Sequence, residues 1–196
     1  MKLSDLDLNK QYSYADYMGW KLEETVELIK GYIFPMAPAP NLSHQRVSMR
    51  LTKTFLNYFE GHKCELFSAP FDVRLSKKLG DSDKLITTVV QPDLCVVCDR
   101  NKLDEQGCNG APDLIVEILS PGNTRKEMKD KMNVYEESAV REYWIIHPKE
   151  NYLIIYTLNE KGKYSASLPF VEGDMVYSSI FPDMKIDLEK LFADLK

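Results

Sequence analysis

No stretch of this chain approaches the roughly 20 consecutive apolar residues that a membrane-spanning helix needs, so membrane association is not expected. The opening residues, Met1 to Tyr14, carry acids and lack an apolar core, so no secretory signal is expected and the cytoplasm is the expected compartment. Basic charge is also in short supply. With 25 Lys and Arg against 30 Asp and Glu the formal charge is −5, the wrong sign for holding nucleic acid by a broad basic surface. That deficit is compatible with a nuclease, because a carboxylate site that recruits divalent cations is acidic when empty. Internal repeats and low-complexity segments are absent. Cysteine is sparse: Cys64, Cys95, Cys98 and Cys108. Cys95 and Cys98 have a zinc-like spacing, but Leu94 to Cys98 reads as a strand, where positions three apart face opposite ways. Reduced, partly buried thiols are expected, with zinc or redox use as the alternative.

What is present suits one soluble α/β domain spanning residues 1–196, with 44% hydrophobic and 28% charged residues. Ser13, Tyr14, Tyr17 and Met18 suggest a short helix. Thr25 to Ile29 and Tyr32 to Phe34 flank Lys30-Gly31, a hairpin signal, and Pro35, Pro38 and Pro40 then form a stiff connector. Val47, Leu51, Phe55, Leu56 and Phe59 form one helical face over Leu42 to Glu60, capped by Asn41 or Ser43. Strands are predicted over Cys64 to Leu75 and over Thr87 to Cys98, the latter with a bulge or irregular edge at Pro92. Lys77 to Asp83 reads as a polar turn and Asp99 to Gly110 as a polar loop.

The informative stretch is Ala111 to Tyr135. Leu114, Ile115, Val116, Ile118 and Leu119 make a short apolar run bounded by Pro112 and Pro121-Gly122, which suits a buried strand. Glu117 interrupts it. A carboxylate there must be paired, hydrogen-bonded or metal-bound to be tolerated. Thr124 and Glu127 fit a capping box, and Met128, Lys131, Met132 and Tyr135 follow at helical spacing. Glu142 to Ile146 forms another strand with Tyr143 and Trp144 as core residues, Tyr152 to Leu158 is its hairpin partner, and short strands are predicted over Lys163 to Phe170 and Met175 to Ser179. A closing helix is predicted over Ile186 to Leu195.

From residue 42 to 147 the order is therefore helix, strand, strand, strand, helix, strand. Val90-Gln91-Pro92-Asp93-Leu94, Ala111-Pro112-Asp113 through Ser120-Pro121, Lys131 with Tyr135, and Glu142 to Ile146 together resemble the Uma-type restriction endonucleases of the PD-(D/E)xK nuclease superfamily. Glu27 to Gly31 and Ser43-His44-Gln45 extend the resemblance over roughly residues 12–160. It implies a restriction-endonuclease-like core with added β-hairpins, acting as a Mg²⁺- or Mn²⁺-dependent endonuclease on DNA. It further implies that Asp93 and Glu117 are paired metal-binding acids and Lys131 the catalytic lysine. The sequence departs from the superfamily motif at Leu119, where the lysine is expected, and from the family at Glu127, where aspartate is more usual.

Simple geometry agrees with a lysine supplied by the following helix. Glu117 lies about 7 Å back from the strand end at ~3.3 Å per residue, and Lys131 lies about 10 Å into the helix at ~1.5 Å per residue. Glu127, one turn earlier, shares that helix face. Glu27 is a candidate for supporting a second metal or its waters, and His44 for contacting phosphate or accepting a proton. Asp113 shares a strand face with Glu117 and is either a turn-capping acid or a neighbour of the site. The alternative function is a non-catalytic nucleic-acid or protein interaction module on the same fold. Paired-strand cutting would favour a homodimer.

Overall fold

The computed structural model describes residues 1–36, 40–78 and 80–195. Helix α1 (Tyr14–Gly19) starts at Ser13, whose side chain accepts a hydrogen bond from the Asp16 N–H. Strands β1 (Val26–Ile29) and β2 (Tyr32–Pro35) form the expected hairpin. Its two link residues take positive φ, 53° at Lys30 and 86° at Gly31, as a two-residue turn requires. Pro35 closes β2 and Pro40 precedes the next helix, while Pro38 of the expected connector lies outside the described residues. Helix α2 (Leu42–Phe59) is capped by Asn41, whose Oδ1 accepts from the His44 N–H at 2.9 Å.

The strand expected over Cys64 to Leu75 is instead two, β3 (Glu65–Ser68) and β4 (Val73–Arg74), which join different sheets on either side of a cis Ala69–Pro70 peptide. The expected strand Thr87 to Cys98 divides in the same way into β5 (Val89–Val90) and β6 (Leu94–Val97). Pro92 cannot donate to a ladder, so the chain changes sheets there rather than bulging within one. The polar loop expected over Asp99 to Gly110 contains a small hairpin, β7 (Leu103–Asp104) and β8 (Gly107–Asn109). Strand β9 (Leu114–Ile118), helix α3 (Arg125–Glu137), strand β10 (Glu142–His147) and its antiparallel partner β11 (Tyr152–Leu158) fall where the pattern placed them. Strands β12 (Tyr164–Ala166), β13 (Phe170–Val171), β14 (Met175–Tyr177) and β15 (Lys185–Asp187) follow. The closing helix α4 (Leu188–Phe192) is shorter than predicted, because Ile186 pairs with Val176 and Asp187 caps the helix.

The result is a mixed α/β fold with several sheets. One sheet runs β2-β1-β5-β4-β8-β7, a larger one β12-β11-β10-β9-β6-β3 with β13 beside β11, and β14 pairs with β15. In the larger sheet β9 and β10 are parallel, whereas β6 is antiparallel to both β9 and β3. Alternation gives this sheet two apolar faces. Leu94, Val96, Leu114, Val116, Trp144 and Ile146 meet the Val47, Leu51, Phe55 and Phe59 face of α2. Cys95, Val97, Ile115, Tyr143 and Ile145 meet Val134 and Tyr135 of α3. Tyr143 and Trp144 are buried core residues, as expected. Among the described residues no helix is long and apolar enough to cross a membrane.

The expectation of four reduced thiols is corrected. Register pairs Glu65 with Val97, which puts Cys64 and Cys98, each one residue outside its strand, opposite one another, and they form a disulfide. Cys98 is therefore no partner for Cys95 in a zinc site. Cys95 and Cys108 are free and buried, and burial pushes both thiols well up, Cys108 to about 12.

A second buried carboxylate fastens the C-terminal region. Glu142 Oε1 accepts from Trp144 Nε1 at 2.6 Å, and Oε2 accepts from Ser178 Oγ and the Ile180 N–H at 3.0 Å each. Burial raises its pKa, with the hydrogen bonds from Trp144, Ile180 and Ser178 opposing. Glu142→Gln replaces one acceptor by a donor facing the Ile180 N–H. The variant is expected to lose about 1–3 kcal/mol in urea denaturation, and unchanged stability would show that the carboxylate does not hold this segment.

Candidate active site

The apolar faces dictate where the carboxylates lie. Glu117, two residues from Ile115, shares its face and so projects to the α3 side, and Asp93, just before β6, shares the face of Cys95 on the same side. The β6/β9 register pairs Leu94 with Val116, so the next step outward sets Asp93 opposite Glu117. Asp93 is tied into this corner by two contacts. Its Oδ2 accepts from the Ile118 N–H at 2.7 Å, and its Oδ1 lies 3.1 Å from His44 Nε2.

Helix α3 returns over the sheet and delivers two side chains one turn apart. Lys131 Nζ donates to Glu117 Oε1 at 3.1 Å, and Tyr135 Oη donates to the same oxygen at 2.6 Å. The third wall comes from the other sheet: Glu27 of β1 lies 3.0 Å from Lys131 Nζ and accepts from the Gln91 N–H at 2.8 Å. Gln91 is fixed in turn, since its Nε2 donates to Asp72 Oδ1 at 2.7 Å. The ammonium of Lys131 is thus clamped between two carboxylates, one from each sheet.

Exposure separates the members of this group. The Asp93 and Glu117 side chains keep 20% and 12% of their surface, whereas Lys131 and Glu27 keep 9% and 4%. Asp93 is the most open of the four, and Glu117, Lys131 and Glu27 lie deeper beside it. Both described contacts of Glu117 fall on Oε1, leaving Oε2 for a cation. Among the described residues no three His, Cys, Asp or Glu side chains form a ready-made cation cage. Two carboxylates with hard oxygen donors nonetheless fit Mg²⁺, which commonly keeps several waters and takes only one or two protein carboxylates beside a phosphate.

The electrostatics follow from burial. Burial raises Glu117 to about 7; Lys131 and the Tyr135 hydrogen bond oppose the rise, and Glu27 and Asp93 add to it. Burial works against the Lys131 charge, but Glu117 and Glu27 outweigh it, and the pKa is raised. Tyr135 is raised well above its usual value by burial, then by Glu117 and Glu27, so it is a donor and not a phenolate. Without metal, the buried Glu117 makes stability depend on pH. The folded state holds the Glu117 proton to a pH where the unfolded chain, with an ordinary value of 4.5, has released it. This contribution is complete below 4.5 and is lost as pH rises through about 7. Glu117→Gln lacks it, so in EDTA the variant is expected to gain stability relative to wild type between pH 5 and pH 8. A pH-independent difference in urea midpoints would contradict the assignment.

The remaining sequence candidates lie at the edge of this cluster or outside it. His44 is buried at the start of α2, with its Nε2 against Asp93 Oδ1. Asp113 stands at the opposite end of β9: its Oδ2 accepts from the Cys98 N–H at 2.9 Å and its Oδ1 from Arg141 at 3.1 Å. Glu127 serves the capping box and also accepts from Asn123 Nδ2 at 3.0 Å. Sharing a face with Glu117 or Lys131 does not bring either acid to the cluster. In the sequence Gln91 and Tyr135 are legible only as motif letters. The one available signal was the spacing of Lys131 and Tyr135, four apart on one helix face.

Comparison with known proteins agrees with this architecture. An "Uncharacterized protein slr1290" from Synechocystis is 25% identical over 160 residues, covering 78% of this chain and 77% of the relative. A crystal structure titled as "a putative nuclease belonging to DUF820", from Anabaena variabilis, has a TM-score of 0.71 at 19% identity, covering 94% of this chain and 99% of that one. A family model described as "Putative restriction endonuclease" matches residues 14–189, most of the chain. This chain belongs to that family, Uma2.

Proposed function

We propose that this chain is a metal-dependent endonuclease that hydrolyses DNA phosphodiester bonds, with Asp93 and Glu117 holding Mg²⁺ or Mn²⁺ and Lys131 as the catalytic lysine. The observation that carries this reading is the convergence of Lys131 Nζ on Glu117 Oε1 at 3.1 Å, beside a second acid on the adjacent strand. Family membership and the likeness to the Anabaena protein support a nuclease. The order α2, β3, β6, β9, α3, β10 in and around the larger sheet supports a PD-(D/E)xK core. The superfamily's lysine position is Leu119 here, and α3 supplies an ammonium to the same carboxylate from another direction.

When bound, the metal supplies Lewis-acid charge at the phosphate and a nucleophile from water at neutral pH. The chain's own residues do the rest. Lys131, kept protonated by two carboxylates, acts as a fixed positive charge and not as a general base, and it offsets charge developing on the phosphate. Glu27 holds that ammonium in place. Tyr135 fixes the Glu117 carboxylate through Oε1, and His44 with the Ile118 N–H fixes Asp93, so the two acids are oriented before substrate arrives.

Incubating the protein with supercoiled plasmid and with single-stranded circular DNA tests the reading. Cleavage is expected with Mg²⁺ or Mn²⁺ and not with EDTA. Equal cleavage in EDTA would contradict metal dependence, and cleavage of neither DNA with either metal would favour a binding module.

A further inference from the structure

A cleft of 720 Å³ opens at the carboxyl ends of the parallel strands β9 and β10. Its near wall adjoins the candidate site at three points. Ser43 is next to His44, Leu119 lies two residues past Glu117, and Met128 lies one helical turn before Lys131. Its far wall is the β10/β11 hairpin. There His147 and Tyr152 are register partners with stacked rings, 5.1 Å between centroids at 28°. The His147 Nδ1 accepts from the Glu150 N–H at 3.1 Å, which fixes the ring. Lys149 and Glu150, both exposed on the turn between the two rings, place a cation and a carboxylate side by side on the same rim.

An ordered aromatic pair beside a lysine is the combination with which proteins hold single-stranded nucleic acid, a base stacking on the rings and the backbone meeting the charge. A duplex keeps its bases stacked inside and offers no free face to such a platform. The volume lies in the range of small-ligand pockets, room for a nucleotide and not for a double helix. We propose that this cleft receives an unpaired nucleotide of single-stranded DNA, with its base on the His147 and Tyr152 platform and its phosphate at Lys149. Its assignment as the nucleotide flanking the scissile bond rests on the nuclease reading, but the binding does not.

The test is fluorescence anisotropy with a labelled oligothymidylate and a duplex of equal length, in EDTA so that nothing is cut. The single strand is expected to bind more tightly than the duplex. Tyr152→Leu is expected to weaken it about 10-fold or more, and Tyr152→Phe to keep wild-type affinity. Lys149→Ala, on an exposed turn where folding is not at stake, is expected to weaken binding and to lower the salt slope by about 1. Wild-type affinity in both Tyr152→Leu and Lys149→Ala, or a preference for duplex, would overturn the proposal. The two readings fail separately. Absent cleavage with the binding pattern intact removes the nuclease and keeps the cleft, whereas unaltered binding in these variants beside an inactive Asp93→Ala removes the cleft and keeps the nuclease.

Discussion

Lys131→Met is expected to destabilise the metal-free protein by about 3 kcal/mol and to abolish DNA cleavage. Methionine nearly preserves the volume but removes the ammonium, leaving Glu27 and Glu117 facing one another with no cation between them. Removing one partner of a buried ion pair is far more harmful than the pair itself is helpful, because the remaining charges stay desolvated. Protonating Glu117 relieves part of that repulsion, so the loss should be smaller at pH 5 than at pH 8. Adding Mn²⁺ should recover part of the stability by placing positive charge near the bereaved carboxylates, but not the activity. Lys131→Arg keeps the charge and most of the stability, yet its planar fork does not reproduce the tetrahedral ammonium, so cleavage should still fall. Urea denaturation with EDTA or Mn²⁺, beside plasmid nicking, checks each part. A Met variant as stable as wild type would show that Lys131 does not balance the two acids.

Asp93→Asn is expected to lower metal-dependent cleavage by about 10³-fold while leaving the fold intact. The amide oxygen can still accept from the Ile118 N–H, so the corner between β6 and β9 keeps its hydrogen bond. What disappears is the negative charge of the more exposed of the two paired acids. Higher Mn²⁺ should restore part of the rate, because weakened metal affinity is the main defect. A rate within a few fold of wild type at low metal would remove Asp93 from the metal site.

Much of this arrangement could be read in the chain, and the misses have physical reasons. Glu117 was conspicuous because a carboxylate in an apolar strand demands a partner, and the helical offset of Lys131 matched its depth. Alternation, however, carries no information about which sheet a strand joins. The runs through Pro70 and Pro92 therefore read as single strands although each changes sheets. The Cys64–Cys98 bond depends on the register of β3 against β6, which spacing alone cannot reveal. Asp113 illustrates the same limit: a period of two assigns it a face shared with Glu117, but four residues of extended chain, about 13 Å, keep it from the site. Glu27 enters from the other sheet, and only the assembled fold shows that it clamps the lysine.

The most direct measurement is Mn²⁺-dependent nicking of supercoiled plasmid by wild type, Asp93→Asn and Glu117→Gln, each first shown to be folded by circular dichroism. Nicking by wild type that stops in EDTA and falls about 10³-fold in both variants is the expected result. Nicking that persists unchanged in both folded variants would place the chemistry elsewhere in the molecule.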